Sequence, residues 1–152
     1  MSHASKRARK RWNTFGNAGR GILMTAATIL PELPHSKRPH VSVGFSLLNV
    51  KLAVSVLKKL LPEERPDHKD DESFPSEHAA ECVASALIIG REYPGKIAAS
   101  AYGLATAVAL SRIAAKRHHP RDVIAGAAIG AIAVWSSAGI RAAAEKRVSS
   151  LA

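Results

Sequence analysis

Apolar residues in this chain come in long blocks broken by short polar connections, without the strict alternation that marks a half-buried strand. Residues 41–61 (VSVGFSLLNVKLAVSVLKKLL) carry one charge, Lys51, before Lys58 and read as a helix. The same pattern predicts a short helix at about 21–32, one over 76–91 halted by the turn signal YPG, one over 96–116 and one over 122–144. No internal repeat is present. The expected fold class is all-α: an antiparallel bundle of about five helices, because short connections set successive helices antiparallel.

Residues 123–140 are 18 consecutive uncharged residues, the lower limit for crossing a bilayer, and residues 97–111 add an uncharged run of 15. Such runs are too apolar for an ordinary amphipathic bundle, so the bundle is expected to be membrane-associated. The composition of the 152 residues is 47% hydrophobic but only 5% aromatic, and much of the apolar share is alanine, which favours helix. Lys and Arg number 22 against 12 acidic residues, a net charge of +10 that calls for an anionic partner. The basic residues are dispersed and carry no nucleic-acid motif. Anionic headgroups or a phosphorylated substrate are expected instead, with no nucleic acid.

Residues 1–14, opening MSHASKRARKRW, read as a basic arm, disordered or lying on anionic lipid, ahead of a helical domain over 15–148. The apolar piece that follows is short and lacks a small-residue cleavage site, so no cleaved signal peptide is expected. The single cysteine, Cys82, permits no internal disulfide and argues against a cysteine-ligated zinc.

In an antiparallel bundle the connections after the second and fourth helices meet at one end. They hold nearly all the unusual residues: Lys58, Arg65, Ser76, His78, Arg112, His118 and Asp122. Three cations around one point suit an anion, and two arginines offer forks matched to phosphate oxygens. Ser76 can cap the third helix, whose free N–H groups add to the anion site. Of the two histidines, one can attack phosphorus while the other protonates the leaving oxygen. Asp122, four residues after His118, can accept the Nδ1 proton and leave Nε2 free.

At this point the chain resembles the type-2 phosphatidic acid phosphatase superfamily, which also includes class A acid phosphatases and vanadium haloperoxidases. Lys58, six residues (KLLPEE) and Arg65-Pro66 match its first block; Pro75-Ser76-Glu77-His78 corresponds to its Pro-Ser-Gly-His. Ser111-Arg112, IAAKR, His118, HPR and Asp122 match its third. The resemblance covers about residues 50–130. It implies that His118 is a nucleophile forming a phosphohistidine, that Asp122 orients it and that His78 is the general acid. Lys58, Arg65, Ser76, Glu77 (through its backbone N–H) and Arg112 would bind the phosphoryl oxygens, with no metal and no other cofactor. The implied substrate is a lipid or polyprenyl phosphate or diphosphate, and the implied place is the bacterial cytoplasmic membrane. The positive-inside rule puts the site outside the cytoplasm if residues 21–32 do not cross, and inside if they do.

Glu77 is the departure, standing where most members have glycine. It keeps the backbone N–H but adds a negative charge beside an anion unless it turns away or pairs with a cation. Members similar to undecaprenyl diphosphate phosphatases have an acidic residue there, which points toward an isoprenoid substrate. Plainer readings exist for single residues: Lys58 as a helix-terminal cation, Arg112 as a snorkelling side chain, His119 as a bystander. Two rival functions remain: a catalytically silent lipid-phosphate binder disabled by Glu77, and a vanadate-dependent haloperoxidase.

Overall fold

The computed structural model describes residues 3–30 and 41–149. Residues 1–2 of the basic arm and residues 31–32 of the first expected helix lie outside the described residues. Five helices follow in order: α1 (His3–Ile29), α2 (Val41–Leu60), α3 (Glu77–Glu92), α4 (Lys96–Ala114) and α5 (Pro120–Ser149). Among the described residues there is no strand, only an isolated bridge between Glu63 and Glu72 inside the α2–α3 connection. The all-α bundle expected from the pattern is the fold observed.

Helix α3 is the centre and packs against each of the other four. Its buried positions run almost all round: Ala79, Ala80, Cys82, Ala84, Ser85, Ala86, Ile88 and Ile89. Such a helix has no solvent face to mark with polar residues. Small side chains let its neighbours come close. On α5, a Cβ at Gly126 would run into the Ser76 carbonyl oxygen, and one at Gly130 into that of Ala80. This Gly-x-x-x-Gly seam sets the start of α5 against the start of α3. An alanine at either position would cost about 1–3 kcal/mol through overpacking.

Helix ends follow the chemistry of the sequence. Ser76 caps α3, its hydroxyl accepting from the Ala79 N–H at 3.4 Å. Pro120 opens α5, where its missing N–H costs nothing, and Asp122 reaches back to the His119 N–H at 2.8 Å. Helix α4 ends at Ala114, two residues before the expected boundary, because Lys116 takes a left-handed turn (φ 59°).

The largest difference lies at the N-terminus. Helix α1 runs from His3, so residues 3–14 of the expected separate basic arm are its first turns, continuous with 15–29. Its buried stripe is Gly16, Gly19, Leu23 and Ala27, and Gly19 lies against Val108 of α4. Two glycines make half of that face, and hydropathy does not count them as apolar. Helices α4 and α5 (Lys96–Ala114 and Pro120–Gly139) are long and apolar enough to cross a membrane. Large apolar side chains on α2, α4 and α5, among them Leu52, Val56, Leu110, Ile124, Ile132 and Trp135, point outward.

Candidate active site

The middle of α1, the end of α2, the start of α3, the end of α4 and the connections that follow α2 and α4 meet around a cavity of about 220 Å³. Its lining brings together Lys58, Arg65, Glu77, His78, Arg112 and His118 from the sequence reading, with Asn13, Asn17 and Arg117 added. Four cations and one carboxylate give it a net positive charge. The volume is below the roughly 300 Å³ at which pockets begin to enclose whole drug-sized ligands. A phosphate-sized anion fits such a volume and a whole lipid does not.

His118 is buried on the connection between α4 and α5. Its Nδ1 lies 2.6 Å from the Ser73 carbonyl oxygen, which can only accept. The ring is therefore the Nδ1–H tautomer, with the Nε2 lone pair unprotonated. Burial foremost, then Arg65 and Lys58, pulls its pKa down to about 4, against the Ser73 hydrogen bond and Asp122, which both raise it. Neutral imidazole is the form a nucleophile needs.

Asp122 does not make the direct hydrogen bond to His118 expected from their spacing: its Oδ2 is 3.9 Å from Nδ1. The same oxygen instead accepts from the Ser73 hydroxyl at 2.5 Å and from the His119 N–H. A fully buried carboxylate holding Ser73 thus holds the carbonyl that orients His118, one step removed. The cause is the α5 start: Asp122 is committed to its own helix cap, which fixes its oxygens away from the imidazole. Ser76 and Asp122 are not among the cavity-lining residues; the Ser76 N–H donates to the Asp122 carbonyl at 2.9 Å, tying the two helix starts together.

Arg112 is buried, yet among the described residues no carboxylate binds it. Its Nη2 donates to the Trp12 and Asn13 carbonyls at 3.2 and 3.0 Å, and its Nη1 to the side-chain oxygens of Asn13 and Asn17 at 3.2 and 3.3 Å. Gly16 makes room: a Cβ there would overlap the guanidinium. Asn17 Oδ1 is also 2.8 Å from His78 Nε2. A guanidinium only donates, so the Asn17 atom facing it is oxygen, and His78 carries its proton on Nε2. Burial, with Arg112, Arg20 and His118 nearby, lowers the His78 pKa to about 3. An amide oxygen thus stands between two groups that would both donate to a phosphoryl oxygen.

The remaining cations are set by the α2–α3 connection. Lys58 Nζ donates to the Glu72 carbonyl at 2.5 Å, Arg65 pairs with Asp70, and Arg117 pairs with Asp67 at 3.3 Å and Asp70 at 3.8 Å. Glu77 faces the cavity but is paired with Arg20 of α1 at 3.4 Å, and Arg20 also pairs with the buried Glu81. The departure from glycine therefore comes with a compensating cation. Among the described residues, no group of three or more His, Cys, Asp and Glu side chains converges in a way that suits a metal.

Ser73, Asn13, Asn17 and Arg117 were not singled out by sequence. Ser73 acts through its carbonyl, which no side chain signals. Asn13 and Asn17 are four apart, with Arg9 and Arg20 on the same stripe of α1, and that spacing is the signal that could have found them.

The chain is similar to several known proteins. Decaprenylphosphoryl-5-phosphoribose phosphatase of Mycobacterium tuberculosis is 32% identical over 126 residues, covering 77% of this chain and 70% of that one. The protein of the same description from Mycolicibacterium smegmatis is 31% identical over 121 residues, covering 74% and 66%. Among solved structures, Aquifex aeolicus LpxE superposes with a TM-score of 0.71 at 22% identity, covering 86% of this chain and 85% of that one. The transmembrane PAP2 type phosphatidylglycerolphosphate phosphatase from Bacillus subtilis gives 0.65 at 18% identity, covering 88% and 76%. These two likenesses concern the fold. A family profile described as the PAP2 superfamily matches residues 39–145, and the chain belongs to that superfamily of phosphatases.

Proposed function

We propose that the protein removes a phosphate from a polyprenyl- or other lipid-linked phosphate ester, without a metal, through a phosphohistidine at His118. The observation that carries this reading is the His118 ring, neutral and held by the Ser73 carbonyl with Nε2 free, in a cavity lined by four cations. Nε2 attacks phosphorus and the bond from phosphorus to the leaving oxygen breaks. His78 gives that oxygen its proton, and water, deprotonated by the same ring, then cleaves the phosphorus–nitrogen bond. His78 is neutral in the free site. A bound phosphate's negative charge raises its pKa, so substrate supplies the condition for His78 to hold a second proton.

A lipid carrier is supported by the surroundings. A groove of about 530 Å³ between α2 and α5, lined by Leu52, Val56, Leu57, Ile129 and Ile132, runs beside the helix whose last turn carries Lys58. The polyprenyl-linked sugar phosphate in the names of the mycobacterial relatives fits such an arrangement. With outward apolar side chains on α2, α4 and α5, the bundle would sit in the bacterial cytoplasmic membrane with the cavity at one surface.

The test is phosphate release in detergent, without added metal, from phosphatidate, phosphatidylglycerophosphate, undecaprenyl mono- and diphosphate and a water-soluble aryl phosphate. Wild type should turn over at least one lipid substrate and His118→Ala none. Equal turnover by both would remove His118 from the mechanism. Tight binding without turnover by wild type would make the protein a silent binder.

A further inference from the structure

A second concavity, of about 530 Å³, lies beside the catalytic cavity and shares two of its residues, Asn13 and Arg117. Five cations line it, Lys6, Arg9, Lys10, Lys69 and Arg117, against one carboxylate, Asp67. We propose that this groove is a second anion subsite, which binds a second phosphate group of the substrate, separated by a linker from the phosphate that His118 attacks. The proposal rests on the phosphatase reading and narrows its substrate class to molecules carrying two phosphates.

The cations are gathered rather than spread. Asp67, only 3% exposed, draws Arg117, Arg9 and Lys69 to within 3.3, 3.7 and 4.0 Å. Arg9 Nε also donates to the Ala115 carbonyl at 3.4 Å, which ties α1 to the end of α4. Asp67, with Asp70 at 3.8 Å from Arg117, still leaves three cations facing two carboxylates, and Lys6 and Lys10 add two more from one face of α1. Five cationic residues therefore line one concave wall against Asp67, which raises the field on whatever anion enters. Guanidinium forks beside ammonium groups suit phosphate oxygens.

The shared wall favours substrate over a bilayer headgroup. An anion in the groove is adjacent to one in the cavity, so a single molecule carrying both gains from a high effective concentration at the second point. Arg117 stands between the two sites and serves either phosphate. The second phosphate does not reach His118 and leaves with the product.

The experiment compares kcat/KM for a series of α,ω-alkanediol bisphosphates of increasing length with the matching alkyl monophosphates, in neutral detergent. Wild type should prefer the bisphosphate at one chain length. The triple variant Lys6→Gln/Lys10→Gln/Lys69→Gln alters exposed side chains outside the catalytic cavity. It should lower kcat/KM for that bisphosphate by about tenfold, as expected for losing several exposed charge contacts, and leave an aryl monophosphate unchanged. No preference for any bisphosphate, or the same preference in the variant, overturns the proposal. So does a variant whose only change is altered aryl phosphate turnover in micelles containing phosphatidylglycerol, because the groove would then serve bilayer headgroups. Isothermal titration of the same bisphosphate into the His118→Ala protein, with and without the lysine substitutions, reads the subsite without turnover. Binding weakened by the lysine changes, in a protein whose wild type hydrolyses nothing, keeps the subsite and sinks the phosphatase reading.

Discussion

Replacing Gly16 by alanine separates the site from the fold. The new Cβ would overlap Nη2 and Cζ of Arg112 and the hydroxyl of Ser111, and ordinary contact begins only at about 3.4 Å. The guanidinium is the far end of a flexible side chain, so it yields rather than the helices. In yielding it leaves the Trp12 and Asn13 carbonyls, now at 3.2 and 3.0 Å, and loses its aim at the cavity. A hydrogen bond to a charged group is worth about 1.5–3 kcal/mol, so kcat/KM for phosphate release should fall roughly ten- to hundredfold. Stability should fall modestly, because a helix-propensity gain of about 1 kcal/mol offsets only part of an overpacking cost of about 1–3 kcal/mol. Gly21→Ala is the control: it lies on the same helix with nothing within 4 Å of its would-be Cβ. It should keep full activity and melt no lower than wild type. Adding Gly16→Ala to Arg112→Ala should cost nothing further, since both act at one place. Full activity in Gly16→Ala, or simple additivity in the double variant, would refute the role given to α1.

Other outcomes follow from the same geometry. Because the His118 pKa falls from 6.5 to about 4 on folding, the unfolded chain takes up that proton first as pH drops. Its contribution to stability is therefore complete above pH 6.5 and lost between 6.5 and 4; melting temperatures across that range should fall less in His118→Gln than in wild type. Glu77→Gly should keep turnover within about threefold, because the carboxylate is already paired with Arg20 and such half-exposed pairs are weak. Complete loss of turnover in that variant would show that Glu77 itself acts. Arg112→Lys should lower kcat/KM about tenfold more than Arg65→Lys, since only a planar fork reaches both α1 carbonyls and a phosphate; equal losses would contradict the ranking.

What sequence made legible was the set of groups whose spacing is dictated by helix starts and stops. Lys58 lies in the last turn of α2, His78 in the first turn of α3 and Arg112 in the last turn of α4, and short connections bring those ends together, so one cavity could be assembled from blocks far apart in the chain. What it hid were contacts made by backbone and by absence of side chain. The Ser73 carbonyl supplants the expected Asp122 contact, because Asp122 also serves the cap of α5, and a carbonyl has no residue signature. Gly16 and Gly19 look like helix weakeners in isolation, yet they are the contact face of α1 against Arg112 and Val108. The basic run before them masked a helix that supplies Asn13, Asn17 and Arg20 to the site. Counting small residues at helical spacing as an interface, rather than counting hydropathy alone, is what would have extended α1.

On the proposed function, the way α1 holds Arg112 also answers a problem that any buried phosphate site faces. A cation removed from water needs partners, but a carboxylate partner would cancel the charge that the phosphate is meant to meet. Arg20 shows the cancelled arrangement, shared between Glu77 and Glu81, and Arg65 is partly spent on Asp70. Arg112 instead meets neutral oxygens: two backbone carbonyls, two asparagine amides and the Ser111 hydroxyl. They satisfy its donors while leaving its full charge directed at the cavity. The two carbonyls are reachable only because glycine stands at position 16, so the feature that makes α1 look weak as a helix is what lets it serve as a wall of the site.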